Sequence, residues 1–500
     1  MPSREGDKFY MTLLDKKDPS KNVKYEIAKT LGGKWDQHYE VKDANGRYYP
    51  TPMRWSVQAG DWLIEDFPPA YHPSAWFEAD GTPKRQPPAD RAAEGRCAGC
   101  HTTGYEFKKV NGLWQATGNG ELGIACERCH GPASKHIDEA KAAKARGETK
   151  LPNSTIANPL KDLTTFQQTQ ICGQCHGRAF NKQTPEDLFF QMGFIVGDTD
   201  ITDHYNYWNY SSFSLDHRSH VTDYFWHNDW AKKNRQQWQD FTKSAHYTTG
   251  GMSCLTCHTF HGKWEGPQLR LKNEEICTSC HVKDSVAAKP NKEMYEGSKH
   301  QATKKLANGV TCVNCHMPRI GKRSGGTAKG PAPWDVSSHT FLMATPFLEK
   351  TIGMRTACSN CHLGKDPPGG PLSLAELDLE LRKTKEFTRD NLEKLAKDVT
   401  KLHRAIDGLP PDLTQAQRAA IEQAILHIAR ADQNLGDIVR DGSFGFHNKE
   451  KSREMLRRAD DWLACAEVCI AERKCNDSDH MKENPNGMAG KCYEQIGTKK

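Results

Sequence analysis

No stretch of about 18 consecutive apolar residues, the length an α-helix needs to cross a bilayer, occurs anywhere in this chain. The opening residues, Met1-Pro-Ser-Arg-Glu-Gly-Asp-Lys8, lack the apolar centre of a secretion signal. Apolar residues make up only 36% of the 500 positions, which is low for a globular protein. A length that suggests about three domains is thus paired with too little apolar side chain to build their cores in the ordinary way. A strong excess of one charge is also missing. The 69 Lys and Arg against 63 Asp and Glu leave a formal +6, which makes no case for nucleic acid or an acidic membrane as partner. Finally, residues 1 to 95 contain no cysteine.

Beyond residue 95, cysteine is plentiful and ordered. Fourteen of the 18 Cys fall into seven repeats of one pattern: Cys97-Ala-Gly-Cys100-His101, Cys126-Glu-Arg-Cys129-His130, Cys172-Gly-Gln-Cys175-His176, Cys254-Leu-Thr-Cys257-His258, Cys277-Thr-Ser-Cys280-His281, Cys312-Val-Asn-Cys315-His316 and Cys358-Ser-Asn-Cys361-His362. Composition alone predicts roughly 0.03 such motifs in the chain. Two thiols three positions apart reach the two vinyl groups of one porphyrin, and the adjacent His meets the iron from one face. The pattern is that of c-type haem attachment. Zinc, the rival for paired cysteines, has no need of His directly after each second Cys. A thioredoxin-like redox motif is normally single and sits in a βαβ unit.

Seven haems resolve the shortage of apolar residues, because the porphyrins supply the missing surface. Forty Gly, 26 Pro and 12 Trp suit a loop-rich wrapping with aromatic rings packed on porphyrin faces. Each haem also brings two propionates, so the formal +6 becomes about −8 once the cofactors are attached, and a sequence pI is no guide to partners. Covalent haem attachment takes place outside the cytoplasm. The expectation is therefore a periplasmic or extracellular, cell-surface protein, exported by a signal peptide that this numbering omits.

Three regions are expected. Residues 1–95 form a haem-free, aromatic-rich region, including Trp35-Asp-Gln-His38-Tyr39 and Tyr48-Tyr49-Pro-Thr-Pro-Met-Arg-Trp55, with short β-hairpins. Residues 96–366 form a heptahaem domain of about 38 residues per haem, too few for separate domains, so the haems share walls. Asp366-Pro-Pro-Gly-Gly-Pro371 punctuates its end. Residues 367–500 read as helices. Leu392, Leu395, Val399, Leu402 and Ile406 keep the helical period, as do Ile421 to Ile438 and Met455 to Leu463, giving an antiparallel helical bundle. The fold class expected is mainly α with much irregular loop, a core of closely packed haems, a C-terminal bundle and N-terminal hairpins. Cys465, Cys469, Cys475 and Cys492 remain and favour disulfides in an oxidising compartment. Cys465 and Cys469, at i and i+4, each fit Cys475 or Cys492 better than one another; a zinc site is the alternative.

The group on the second iron face decides the chemistry. Of 22 His, 15 lie outside the motifs. His136, His246, His261, His300 and His339 sit in the haem region at short offsets from motifs and are distal-ligand candidates. His204, His217, His220 and His227 lie in an aromatic segment; one of them, with His220 taken as the candidate, supplies a further ligand. His403 and His427 read as structural, and His38, His72 and His480 as surface residues.

Cys126-Glu-Arg-Cys-His-Gly-Pro-Ala-Ser-Lys-His136, Ser244-Ala-His246 leading into Cys254, and Cys312-Val-Asn-Cys-His-Met-Pro318 followed by Ser338-His339-Thr-Phe341 resemble the multihaem cytochromes c of the nitrite reductase and hydroxylamine oxidoreductase superfamily. Asp441-Gly-Ser-Phe-Gly-Phe-His447-Asn448 resembles the segment between the C-terminal helices of the nitrite reductases, and the resemblance implies a distal ligand in His447. Those reductases usually carry Lys in place of the motif His at the catalytic haem, whereas all seven motifs here end in His. The favoured function is therefore electron carriage along a row of haems between respiratory partners. Those partners would be a quinol-oxidising membrane cytochrome on one side and other cytochromes, a terminal reductase or an extracellular acceptor on the other. Oligomer or filament assembly is compatible with the sequence. The alternative is an oxidoreductase acting on a small nitrogen or sulfur compound of the nitrite, hydroxylamine or tetrathionate type at one open haem, with a pocket in the His204–Trp230 segment that includes Arg218.

Overall fold

The computed structural model describes all residues except 58, 65–72, 152–154, 184–192, 212–220, 263–267, 285–288, 304–308, 323–325, 328–329, 332–333, 364–371 and 476–500. His72, His217, Arg218, His220, His480, Cys492 and the Asp366–Pro371 punctuation lie outside the described residues. The chain divides into two compact units: Met1–Arg270 with His316–Ala344 and Ile352–Thr356, and Leu271–Cys315 with Thr345–Thr351 and Ala357–Lys500.

The first unit opens with an antiparallel meander of strands β1 (Pro2–Glu5), β2 (Lys8–Leu13), β3 (Val23–Gly32), β4 (Asp36–Lys42), β5 (Tyr48–Ser56) and β6 (Asp61–Ile64). Two short strands, β7 (Gly326–Thr327) and β8 (Gly330–Pro331), extend it to eight, with Gly326 opposite Ile64. The expected fold class needs correcting on this point. The N-terminal region is one continuous sheet, not separate hairpins, and the protein is mixed helix and sheet, not mainly α. Along β3, Val23, Tyr25, Ile27, Lys29 and Leu31 are half-buried while their neighbours are exposed, the period of a strand with one covered face. Met11, Leu13, Val41, Tyr49 and Trp76 form the core on the sheet. The turn from β3 to β4 requires glycine: Gly32 has φ +78°, and a Cβ there would meet the Asp36 carbonyl at 2.4 Å.

The second unit is dominated by three helices, α1 (Leu374–Asp407), α2 (Gln415–Asp441) and α3 (Lys449–Glu472). Each starts at a side-chain cap: Ser373 with Glu376, Thr414 with Gln417, and Asn448 onto the Lys451 amide. The first two are full capping boxes. The apolar positions picked out by helical period form one core, including Leu395, Leu402, Ala424, Ile428, Ile438, Leu456 and Leu463. Lys394 pairs with Asp460 and Lys401 with Glu467. The constant offset means α1 and α3 run parallel with α2 between them in sequence. Cys469 and Cys475 are disulfide-bonded and Cys465 is bonded as well, in line with the expected oxidising chemistry.

Candidate haem-binding site

Most motifs are a single short helical turn; the third closes the longer helix Thr165–His176, and the fifth starts at the end of the helix Asn273–Thr278 and continues as a turn. The amide of His101 donates to the Cys97 carbonyl at 3.1 Å, His130 to Cys126 at 3.0 Å, His258 to Cys254 at 3.0 Å, His281 to Cys277 at 2.9 Å and His362 to Cys358 at 2.7 Å. An i to i+4 hydrogen bond places the two Cys and the His along one side of the turn, as a single porphyrin requires.

The residues between the two cysteines are not mere spacers. Arg128 donates to the carbonyls of Gly99 at 2.7 Å and Thr102 at 2.5 Å, tying the second motif to the first. Gln174 donates to the Arg128 carbonyl at 3.1 Å, tying the third to the second. Gly173 is packed so closely that a Cβ would meet the Trp238 ring at 2.7 Å and the Tyr207 hydroxyl at 2.8 Å. In the sixth motif Asn314 accepts from the Thr311 amide at 2.7 Å and fastens the start of its own turn.

Cysteines of different motifs are neighbours. In the first unit, Cys100 lies within electrostatic reach of Cys175 and Cys172 of Cys254, and the Cys175 thiol donates to the Cys100 carbonyl at 3.7 Å. In the second, Cys277 lies within electrostatic reach of Cys312, and Cys315 of Cys358 and Cys361. Attachment points of different porphyrins are therefore brought together, as the expectation of shared walls requires.

The histidines make the more specific test of whether haem fits. Metal to imidazole nitrogen distances of about 2.0–2.1 Å, with about 1.1 Å from nitrogen to ring centre, put two axial imidazoles on one iron about 6.3 Å apart, centre to centre. The rings of His130 and His261 lie 5.9 Å apart, those of His258 and His339 6.4 Å apart, and those of His300 and His362 6.2 Å apart. Each pair joins a motif His to a candidate named from sequence. A fourth pair is close enough for His447 to act electrostatically on His281. His246 packs on Phe341 at 4.3 Å, and Phe341 offers its carbonyl to His316.

A histidine that ligates through Nε2 needs its Nδ1 proton held by an oxygen. Six rings have one. His130 donates to the Ala157 carbonyl at 2.6 Å, His176 to Gln237 at 3.3 Å, His281 to Asn291 at 3.0 Å, His316 to the Phe341 carbonyl at 3.1 Å, His339 to the Ser337 carbonyl at 3.2 Å and His447 to Asp441 at 2.6 Å. Asp441 also accepts from Asn291 at 2.9 Å, so one carboxylate orients both His281 and His447. His136 differs: its Nδ1 is buried with no hydrogen-bond partner. Burial pushes His101, His176, His281 and His300 below the ordinary histidine value, and His339 down to about 4. Neutral imidazole is the form that binds a metal.

One position departs from the sequence expectation. His38 is not an open surface residue. It is half-buried on β4, and burial, with Arg54 and His101 close by, pushes it down to about 3. The orienting residues Asn291, Asp441, Gln237 and Ser337 carried no signal in the sequence, because their role exists only through distant contacts. His427, expected to be structural, stacks on Trp462 at 5.0 Å within the helical unit.

Covalent attachment motifs, three of them with a second imidazole facing the motif His, define a multihaem c-type cytochrome, a class of electron-transport protein. The comparisons with known proteins agree. The cytochrome c552 family matches residues 280–486, the cytochrome c554 and c-prime family residues 72–131, and the doubled CXXCH motif residues 246–286. The multiheme cytochrome MtrA of Shewanella baltica (strain OS185) is 22% identical over 227 residues, which are 44% of this chain. The match spans 45% of that relative's length, a little under half. Among solved structures, the outer cell wall cytochrome OcwA superposes with a TM-score of 0.57 at 22% identity over 86% of each chain, a likeness of fold. The octaheme sulfite reductase MccA of Wolinella succinogenes also matches, at a TM-score of 0.37 and 15% identity over 70% of this chain and 54% of that one. Among the described residues, no helix is long and apolar enough to cross a membrane.

Proposed function

We propose that this chain carries electrons along seven covalently bound haems between redox partners outside the cytoplasm. The observation that carries the reading is the set of imidazole pairs facing one another 5.9–6.4 Å apart. In this reading the seven Cys pairs hold the porphyrins. His101, His130, His176, His258, His281, His316 and His362 are the proximal ligands. His136, His246, His261, His300, His339 and His447 are distal ligands. Haem supplies one-electron chemistry, and the protein sets its potential through axial ligands, hydrogen bonds and burial.

The chain's own residues do three things. The paired histidines would occupy both faces of each iron they share, which would leave no position there for a substrate. The oxygen acceptors at Nδ1 fix the ring orientations and raise ligand basicity. The contacts between cysteines of different motifs keep the gaps between neighbouring porphyrin edges short. The partners proposed are a quinol-oxidising membrane cytochrome as donor, and another cytochrome, a terminal reductase or an extracellular acceptor on the far side.

Electron paramagnetic resonance of the oxidised holoprotein, with and without nitrite or hydroxylamine, tests this reading, together with intact mass to count haems. The expected outcome is seven haems, all low-spin and indifferent to both compounds. A large high-spin signal that shifts with either one refutes the carrier reading in favour of catalysis at an open haem.

A further inference from the structure

The six distal candidates just named leave one of the seven motifs without a partner, and the sequence assigned that place to His220. The described residues point elsewhere. We infer that His38, on strand β4 of the N-terminal sheet, is the distal ligand of the haem held by Cys97, Cys100 and His101, so that the sheet forms one wall of that haem site. The inference rests on the bis-histidine reading proposed above and extends it to a region expected to be haem-free.

The geometry is as follows. A recess of about 260 Å³ lies between the first motif and the sheet. One side is formed by Cys97, Ala98, His101 and Thr102, and the other includes Lys29, Leu31 and Glu40. Residues two apart on a strand share a face, and residues directly opposite on neighbouring strands do too. Leu31 pairs with His38 and Lys29 with Glu40. His38 therefore stands on the same face as three residues that line the recess, one strand position pair from Glu40. It is half-buried there, and His101 is near enough to act on it electrostatically.

Other features of the wall suit a porphyrin. Both oxygens of Glu40 are buried without a hydrogen-bond partner, and its nearest cation is Lys29 at 3.3 Å. Lys29 also lies over the Tyr48 ring at 3.5 Å. Lys29 thus puts a cation in the lining of the recess, a group that a propionate could pair with. The competing role for His38 is a contact with Arg54, whose Nη1 lies 3.5 Å from His38 Nε2. That distance is at the outer edge of hydrogen bonding, so the ring's lone pair is weakly held.

The test uses the haem-loaded holoprotein and the variants His38→Ala, His38→Met and His220→Ala. His38→Ala is expected to keep its haem mass while one haem in seven turns high-spin, binds carbon monoxide and returns to low-spin with added imidazole. His38→Met is expected to remain low-spin while the potential of one haem rises, as His/Met ligation dictates. His220→Ala is expected to leave the spin count unchanged. A fully low-spin His38→Ala, or a spin change in His220→Ala but not in His38→Ala, overturns the inference. Should His38→Ala fail to fold, a His38→Met protein in which no potential moves overturns it. An open, nitrite-responsive haem in the unaltered protein would sink the carrier reading, yet the increment caused by His38→Ala would still decide this assignment.

Discussion

Replacing Asp441 by Asn tests whether the outer hydrogen bonds hold the histidines in place. The Asp441 side chain is fully buried, with none of its surface exposed. It accepts from His447 Nδ1 at 2.6 Å, from Asn291 at 2.9 Å and from the Ser443 amide at 3.3 Å, and the Ser443 hydroxyl donates to it as well. Asn291 in turn accepts from His281. An amide of the same shape cannot satisfy this many donors, because its NH2 group is itself a donor. Loss of the charge-assisted bond to His447 costs about 1.5–3 kcal/mol, and outer-shell removal at metal sites costs about 10–100-fold in affinity. The assay is a titration of the holoprotein with cyanide, followed in the visible spectrum. In Asp441→Asn, one haem should take cyanide about 10–100-fold more readily than any haem of the unaltered protein. If its binding curve overlays that of the unaltered protein, Asp441 does not hold His447, and the pairing of His281 with His447 loses its support.

Three further outcomes follow. Burial raises Asp240 to about 6, against about 3.9 in an unfolded chain. The folded state then binds this proton more tightly, so stability is greatest below about pH 4 and declines by about 3 kcal/mol as pH rises through 6. Denaturation of Asp240→Asn at pH 4.5 and 7 should lack that share of the decline, and an identical slope in both proteins would contradict it. Gly173→Ala forces a methyl into Trp238 and Tyr207 and should destabilise by about 1–3 kcal/mol, read as a lower midpoint of thermal unfolding; an unchanged midpoint would show that the packing relaxes freely. Cys469→Ser with Cys475→Ser opens a loop with a sequence separation of 6 and should cost about 2 kcal/mol by loop entropy, measured as earlier melting of far-ultraviolet helical signal; no shift would mean the bond constrains nothing.

Attachment chemistry was legible because it is local: two thiols and an imidazole within one helical turn are written in five consecutive residues. The three long helices were legible for the same reason, through the period of residues such as Leu395, Leu402 and Ile428. The sheet was only half legible. Alternation along Val23, Tyr25, Ile27, Lys29 and Leu31 marks a strand, but Gly326 pairing with Ile64 is a contact across most of the haem-motif region. The histidine pairs divide in the same way. His130 with His261, His258 with His339 and His300 with His362 joined residues already singled out, though sequence could not say which met which. His38 was misjudged because its burial comes from a strand register and a recess, neither of which has a local signature. Asn291 went unnoticed, and Asp441 was quoted only as the start of the His447 segment, because orienting a ring needs only an oxygen in the right place, which many residue types supply.

The contacts between cysteines of separate motifs bear on how this protein is made. Cys100 and Cys175, Cys172 and Cys254, and Cys277 and Cys312 lie close enough in the folded chain to act on one another electrostatically. In an oxidising compartment, a disulfide between cysteines of two motifs would remove an attachment point from both at once. Thioether formation competes with that oxidation, and each bond to a vinyl carbon takes one thiol out of it. The same nearness that would let electrons pass between neighbouring haems thus gives a reason for haem to be attached before cysteines of separate motifs are brought together.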